Sequence, residues 1–285
     1  MTALQSLSEI VRNLRKELRD MYSDNEIRNI GYLVAEHLLN YSKIDFHLKD
    51  QEPISAEMQE KFMEVLGRLK NHEPVQYMTG NAEFYGLSFR VDPRVLIPRP
   101  ETEELVEWII RENRDQQVTI LDVGTGSGCI AVALAVKLPD SKISACDISE
   151  EALTLAGINA NENRAVINFF RMDLLNNFVS LPGKYGIMVS NPPYVRNREK
   201  TLIRRNVLDY EPERALFVAD DDPLLFYRNI ALLGRKYLHD GGKLYLEINE
   251  NFPAEVVRLL ENSGYYGIEV RQDMHGKARM VRGRK

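Results

Sequence analysis

Val118-Thr119-Ile120-Leu121-Asp122-Val123 is a short apolar run that leads straight into Gly124-Thr125-Gly126-Ser127-Gly128 and then into the helical positions Ile130, Val132, Leu134 and Ala135. A continuous apolar run suits a strand buried on both faces, as parallel sheets require. The glycines let the chain turn tightly out of it. The same unit recurs downstream. Ile143 to Cys146 make a second strand ending in Asp147, and Leu153 to Ala160 suit a helix. Ile167, Phe169 and Phe170 suit a third strand closing at Asp173, and Tyr185 to Ser190 a fourth. Leu224 to Leu238 read as a helix, Leu244 to Ile248 as a fifth strand and Ala254 to Leu260 as another helix. Gly267 to Val270 and Arg279 to Val281 read as two final strands. Such alternation predicts an α/β domain with a doubly wound sheet. In an open sheet wound outward from its first strand, the first and fourth strands are neighbours, and ligands bind at their carboxyl ends.

The region ahead of this domain has a different texture. Leu7, Ile10, Val11, Leu14 and Leu18 recur on one helical face behind a capping-box spacing from Ser6 to Glu9. Ser23 and Glu26 open a second helix with Ile27, Ile30, Val34 and Leu38 inward, and a third follows Ser55 with Met58, Phe62, Val65, Leu66 and Leu69 as its stripe. These stripes predict a small helical bundle over residues 1–75, which can also serve as a docking surface for a large substrate. From Pro74 the residues turn aromatic and β-branched (Tyr77, Phe84, Tyr85, Leu87, Phe89, Val91) around Gly80 and Gly86, a hairpin linker over 76–98. The remaining residues, 99–285, form the α/β domain. It opens on a helix marked by Pro100 near the first turn and by Glu101, Thr102 and Glu103.

Several function classes are disfavoured. A net charge of −5 argues against a generic nucleic-acid binder. Cys129 and Cys146 give neither a disulfide framework nor a metal spacing, and the five histidines are scattered, so no metal is expected. The N-terminus alternates charges with leucines, and no segment is long enough to span a bilayer, so a cytoplasmic location is expected. Lys277, Arg279, Arg282, Arg284 and Lys285 read as a solvated basic strand end.

The loop after the first strand lacks the lysine of a phosphate-cradling loop, and Cys129 stands where a dinucleotide fingerprint needs a third glycine or alanine. A glycine loop without phosphate-binding residues, followed roughly 20 residues on by a ribose-binding acid, Asp147, fits S-adenosylmethionine. Asp173 and Leu174, at the end of the third strand, are placed to flank its adenine. After the fourth strand comes Asn191-Pro192-Pro193-Tyr194. The prolines force extended geometry on Asn191 and remove two backbone donors, so an amide oxygen stands beside a bare carbonyl. That pair suits a target with two hydrogens on one nitrogen, although the same string can be a rigid turn. Tyr194 suits packing against a planar amide or the methyl path, or plain wall packing. No strong base is evident.

Pro98-Arg99-Pro100-Glu101-Thr102-Glu103, Gly124-Thr125-Gly126-Ser127-Gly128-Cys129-Ile130-Ala131 and Asn191-Pro192-Pro193-Tyr194, in that order, resemble the PrmC/HemK family of peptide chain release factor glutamine methyltransferases. Glu73-Pro74-Val75-Gln76-Tyr77, Tyr210-Glu211-Pro212 and Leu246-Glu247-Ile248 extend the likeness over most of the chain beyond residue 70. The resemblance implies a Rossmann-like class I methyltransferase fold. It also implies methyl transfer from S-adenosylmethionine to the glutamine amide nitrogen (N5) of the Gly-Gly-Gln motif in class I release factors, by a monomer. Asn191, Pro192, Pro193 and Tyr194 would grip that amide, with Asn191, Pro192 and Tyr194 taking part in catalysis. Gly124, Thr125, Gly126, Ser127, Gly128, Asp147, Asp173, Leu174 and Asn191 would line the cofactor. The chain departs from the usual pattern at Val218-Ala219-Asp220-Asp221-Asp222-Pro223, where a more glycine-rich run is expected, and at Asn249, where glycine is expected. A methyltransferase acting on the exocyclic amino group of adenine or cytosine would face the same problem with the same loop. A non-catalytic release-factor-binding module is a third reading.

Overall fold

The computed structural model of the chain describes residues 4–176, 180–181 and 183–285. They divide into two compact units, one running to Gly80 and including Arg204–Tyr210, the other comprising Asn81–Ile203 and Glu211–Lys285. The first unit is helical, with helices Leu7–Leu18, Asp24–Leu39, Lys43–Leu48, Ala56–Lys70 and Val75–Thr79. Capping boxes open the first three of these, pairing Ser6 with Glu9, Ser23 with Glu26 and Ser42 with Asp45. Each box satisfies two backbone donors that a first helical turn leaves open. Leu7, Ile10, Leu14, Leu18, Ile27, Ile30, Val34, Phe62, Val65, Leu66 and Leu69 make one buried cluster, so the expected stripes do face inward. Arg204–Tyr210, which in sequence falls within the α/β domain, packs with this unit. Arg204 Nη1 donates to Glu26 Oε1 at 2.6 Å, and the Tyr210 hydroxyl donates to the Asn71 carbonyl at 2.9 Å.

The second unit begins with the expected hairpin, β1 (Asn81–Phe84) and β2 (Leu87–Arg90), paired antiparallel. Tyr85 and Gly86 form its turn with φ of 52° and 71°, the left-handed pair of a type I′ hairpin connection. The central sheet has seven strands: β3 (Thr119–Val123), β4 (Lys142–Asp147), β5 (Ile167–Arg171), β6 (Tyr185–Ser190), β9 (Leu238–Glu247), β10 (Tyr266–Gln272) and β11 (Ala278–Arg284). Their order is β10-β11-β9-β6-β3-β4-β5. Five strands run parallel, while β11 pairs antiparallel with β9 and β10. The first and fourth strands of the winding, β3 and β6, are neighbours as expected. A separate parallel pair joins β7 (Val195–Arg196) to β8 (Phe217–Val218).

Side chains along the strands alternate between two cores. Tyr245, Ile187 and Val189 join Trp108, Leu105 and Ile130 on one face, whereas Leu244, Leu246 and Met188 join Tyr227, Ile230 and Val256 on the other. This alternation aims Glu247, two positions past Tyr245, at the face covered by the Pro100–Asn113 helix. Of the C-terminal basic residues, Lys277 and Arg284 are exposed as expected, but Arg279 and Arg282 are not solvated. Arg279 pairs with Asp273 and Glu250, and Arg282 with Glu112 and Glu269, at side-chain exposures of 15% and 10%. Because β11 is an interior strand, its long side chains lie over neighbouring strands and find acids there.

Candidate active site

At the carboxyl ends of β3, β4, β5 and β6 lies a cavity of about 600 Å³. Gly124, Thr125, Gly126, Ser127, Asp147, Asp173, Leu174, Asn191, Pro192 and Pro193 line it. The expected cofactor and amide residues are therefore brought to one place. Two are not in the lining: Gly128 and Tyr194.

The loop after β3 is shaped by its glycines. Gly124, Gly126 and Gly128 have φ of 75°, 54° and 82°, a region costly for other residues. At Gly124 and Gly126 a Cβ would meet nothing within 4 Å, so the open side of the loop is free for a ligand. Gly128 does something else. A Cβ there would stand 3.0 Å from the Ala156 Cβ, so its glycine permits close packing against the Glu150–Glu162 helix. Gly128→Ala is expected to lower unfolding stability by about 1–3 kcal/mol, from left-handed strain plus crowding, as read by urea denaturation; an unaltered midpoint would exclude that close approach.

Several groups hold the loop. The Gly124 and Thr125 N–H groups donate to the Cys146 carbonyl at 2.8 and 3.0 Å, and the Gly126 N–H donates to Asp147 Oδ2 at 2.9 Å. Asn159, fully buried in a helix interior, donates to the Ser127 carbonyl at 2.8 Å and to the Arg90 carbonyl at 3.0 Å. The Ser190 hydroxyl donates to the Val123 carbonyl at 2.6 Å, which ties the end of β6 to the end of β3. Asp173 Oδ1 accepts the Leu175 N–H at 3.0 Å.

Asp122 sits under the loop, fully buried, with its Oδ2 accepting the Thr125 hydroxyl at 2.6 Å. Burial pushes its carboxyl up to about 7; the Thr125 bond opposes the shift and the Asp147 carboxylate adds to it. An acid raised above its unfolded pKa of about 3.9 stays protonated in the folded chain while the unfolded chain releases its proton, so stability falls as pH rises from about 4 to 7. Asp122→Asn removes that loss. Its melting temperature should exceed that of the parent at about pH 8, with the gap closing toward about pH 4; a gap constant across that range would show that Asp122 does not titrate in this way. Burial also raises both thiols, Cys129 to about 12, which suits inert packing.

On the other side of the cavity, Asn191 Nδ2 donates to Thr102 Oγ1 at 3.2 Å, and Thr102 Oγ1 donates to Glu247 Oε2 at 2.6 Å. The Tyr194 hydroxyl donates to Glu247 Oε1 at 2.9 Å, and the ring packs against the core around Met188 and Tyr227. Tyr194 thus packs in the wall of the domain, not along the cavity. Burial raises the carboxyl of Glu247, opposed by the two hydroxyls and by Arg279; burial and the Glu247 carboxylate raise the Tyr194 phenol. Asn249, where glycine was expected, donates through Nδ2 to the Tyr194 carbonyl at 2.9 Å, so the departure pins the loop. In the other departing stretch, Asp222 pairs with Arg228 and Asp220 Oδ1 accepts the Arg198 N–H at 3.0 Å.

Thr102 and Glu247 lie in stretches that carried the family resemblance but were given no role at the site, and neither were Asp122 and Asn159. An asparagine on the buried face of a helix and an acid closing an apolar strand were the available signals. Among the described residues no group of three or more His, Cys, Asp or Glu is placed to hold a metal, and no helix is long and apolar enough to cross a membrane.

Residues 9–80 match the PrmC N-terminal domain and residues 102–211 the methyltransferase small domain. The release factor glutamine methyltransferase of Bacteroides thetaiotaomicron is 45% identical over 275 residues, 96% of this chain and 99% of the relative. The chain belongs to the release factor glutamine methyltransferases. Members of this family from Flavobacterium psychrophilum and Streptococcus pneumoniae are 41% and 44% identical, each over 96% of the chain. The fold is shared more widely. A methyltransferase from Pyrococcus furiosus superposes with a TM-score of 0.53 at 15% identity, covering 78% of this chain and 98% of its own. The human methyltransferase 10 domain containing protein does so with 0.51 at 16%, covering 70% and 89%. The glycine loop after β3 and the stretch 191–194 after β6, which carry the resemblance to this family, both contribute to the lining of this cavity.

Proposed function

We propose that the chain transfers a methyl group from S-adenosylmethionine to the side-chain amide nitrogen (N5) of the glutamine in the Gly-Gly-Gln motif of class I release factors, with Asn191 and Pro192 holding that amide. The observation that carries this reading is the single cavity bounded by the glycine loop and Asp147 on one side and by Asn191, Pro192 and Pro193 on the other.

The residues present fit the cofactor. Gly124 and Gly126 leave the space that a Cβ would intrude on, and Asp147 has lone pairs beyond those engaged by Gly126 and Ser149, suited to ribose hydroxyls. Asp173 and Leu174 line the same cavity and would flank the adenine. S-adenosylmethionine supplies an electrophilic sulfonium methyl with a neutral thioether as leaving group. The chain's own residues do the rest. An amide nitrogen is a weak nucleophile, because its lone pair is delocalised into the carbonyl. The Asn191 side-chain oxygen and the Pro192 carbonyl accept its two hydrogens and fix its orientation. These bonds strengthen as positive charge grows on nitrogen, and positioning of this kind supplies at most about 7–11 kcal/mol. Once the N–C bond has formed, one of the two N–H protons passes to water, leaving the neutral N-methyl amide. Tyr194 anchors the loop through Glu247.

The same reading makes the enzyme a cytoplasmic monomer that takes protein, not nucleic acid, as substrate. The net charge of −5 and the internal pairing of Arg279 and Arg282 support the choice of protein over nucleic acid. Incubation with purified release factor, unmodified DNA and unmodified RNA in parallel, with labelled cofactor and mass-spectrometric mapping, tests it. Label on the glutamine of the release factor is expected; label on adenine or cytosine alone would favour the nucleic-acid reading, and none anywhere the binding module.

A further inference from the structure

A side-chain amide can offer a ligand either its oxygen or its NH2, and only the oxygen can accept a hydrogen from a substrate amide. We propose that Thr102 and Glu247 decide between the two, as positioning residues that hold Asn191 with its oxygen toward the glutamine amide. This rests on the role given to Asn191 above.

The hydrogen bonds run in one direction. Glu247 is 1% exposed and accepts at both oxygens, from the Thr102 hydroxyl at 2.6 Å and the Tyr194 hydroxyl at 2.9 Å. A threonine hydroxyl has one hydrogen. Once it is committed to a carboxylate, the same oxygen can only accept from any further neighbour. The neighbour is Asn191, whose Nδ2 stands 3.2 Å away. A reversed amide would set two acceptors against each other, at a threonine only 2% exposed where water cannot relieve the clash. With the NH2 drawn to Thr102, the Asn191 oxygen is left for the cavity.

The parts come from rigid elements. Thr102 lies in the first turn of the Pro100–Asn113 helix, with its own N–H bonded to the Arg99 carbonyl at 3.1 Å. Glu247 closes β9 and is paired with Met280 of β11. Holding both ends of the relay on regular structure is what orienting a flexible side chain requires. The two residues could instead serve only to fasten helix to sheet, and the test separates these roles.

Thr102→Val, Asn191→Ala and the double variant are purified as full chains and assayed on release factor. Thr102→Val is expected to lower kcat by about 10–30-fold, while KM for release factor and the Kd for S-adenosylhomocysteine change by no more than about twofold. Thr102→Ser, which keeps the hydroxyl, is expected to restore turnover. In the Asn191→Ala background, Thr102→Val should cost nothing more, because the amide it orients is gone. Losses that multiply, or a serine variant as poor as valine, would overturn the relay and leave Asn191 in place. Normal turnover of Asn191→Ala would remove both the amide site and the relay. If Thr102→Val does not fold, Thr102→Ala is carried through the same cycle with the same expected outcomes.

Discussion

Asn191→Ala is expected to lower turnover on release factor by about 10²–10³-fold, the scale seen when one hydrogen-bonding group tuned to a transition state is removed. The reason lies in the timing of the bond. In the ground state the substrate amide can be solvated by water almost as well as by Asn191. As the nitrogen lone pair turns toward the methyl carbon, its hydrogens become more acidic, and an acceptor fixed in a partly buried cavity gains strength that mobile water does not. The loss should therefore fall on kcat, with S-adenosylhomocysteine binding unchanged in calorimetric titration. Asn191→Asp is a useful companion, because it keeps an acceptor but removes the NH2 that Thr102 holds. It should fall between the parent and alanine. Turnover of Asn191→Ala within about threefold of the parent would refute the assignment.

The parts of the site that were legible in the sequence share a cause: they are local. Glycines at φ of 75° and 54° announce themselves because few other residues tolerate that backbone, and Asn191 does so because prolines follow it. The winding order placed β3 beside β6 from connectivity alone. What was not legible depends on contacts between distant segments. Thr102 and Glu247 are 145 positions apart, and although each lies in a stretch that resembles the family, nothing in either stretch pairs it with the other. Asn159 was hidden for the same reason, since its bonds to Ser127 and Arg90 come from separate stretches of chain. Arg279 and Arg282 were misread as solvated because charge composition says nothing about which strand is interior. The packing of Arg204–Tyr210 with the helical unit, where Arg204 and Tyr210 each make a side-chain bond, is likewise a long-range contact that no periodicity encodes.

Asp147→Ala should give the opposite signature. Its carboxylate already accepts the Gly126 N–H at 2.9 Å and the Ser149 N–H at 3.0 Å, so it both shapes the glycine loop and faces the cavity. Two ribose hydroxyls donated to an ionised acceptor contribute about 1.5–3 kcal/mol each. Losing them, with the Gly126 N–H released as well, should raise the Kd for S-adenosylhomocysteine by about 10²–10⁴-fold. At saturating cofactor, kcat should change far less, because these bonds are made equally in ground and transition states and so contribute uniform binding. Asp147→Asn retains one acceptor oxygen and should lie between. A Kd unchanged in Asp147→Ala would take the residue out of the cofactor site. A kcat that fell in step with the Kd would mean instead that the carboxylate acts mainly through Gly126, holding the loop against which the reacting methyl is placed. The contrast with Asn191 is the sharper test of the cavity as a whole. If one cleft holds the methyl donor from β3 and β4 and the acceptor from β6, damage on the Asp147 side must appear in cofactor affinity and damage on the Asn191 side in turnover.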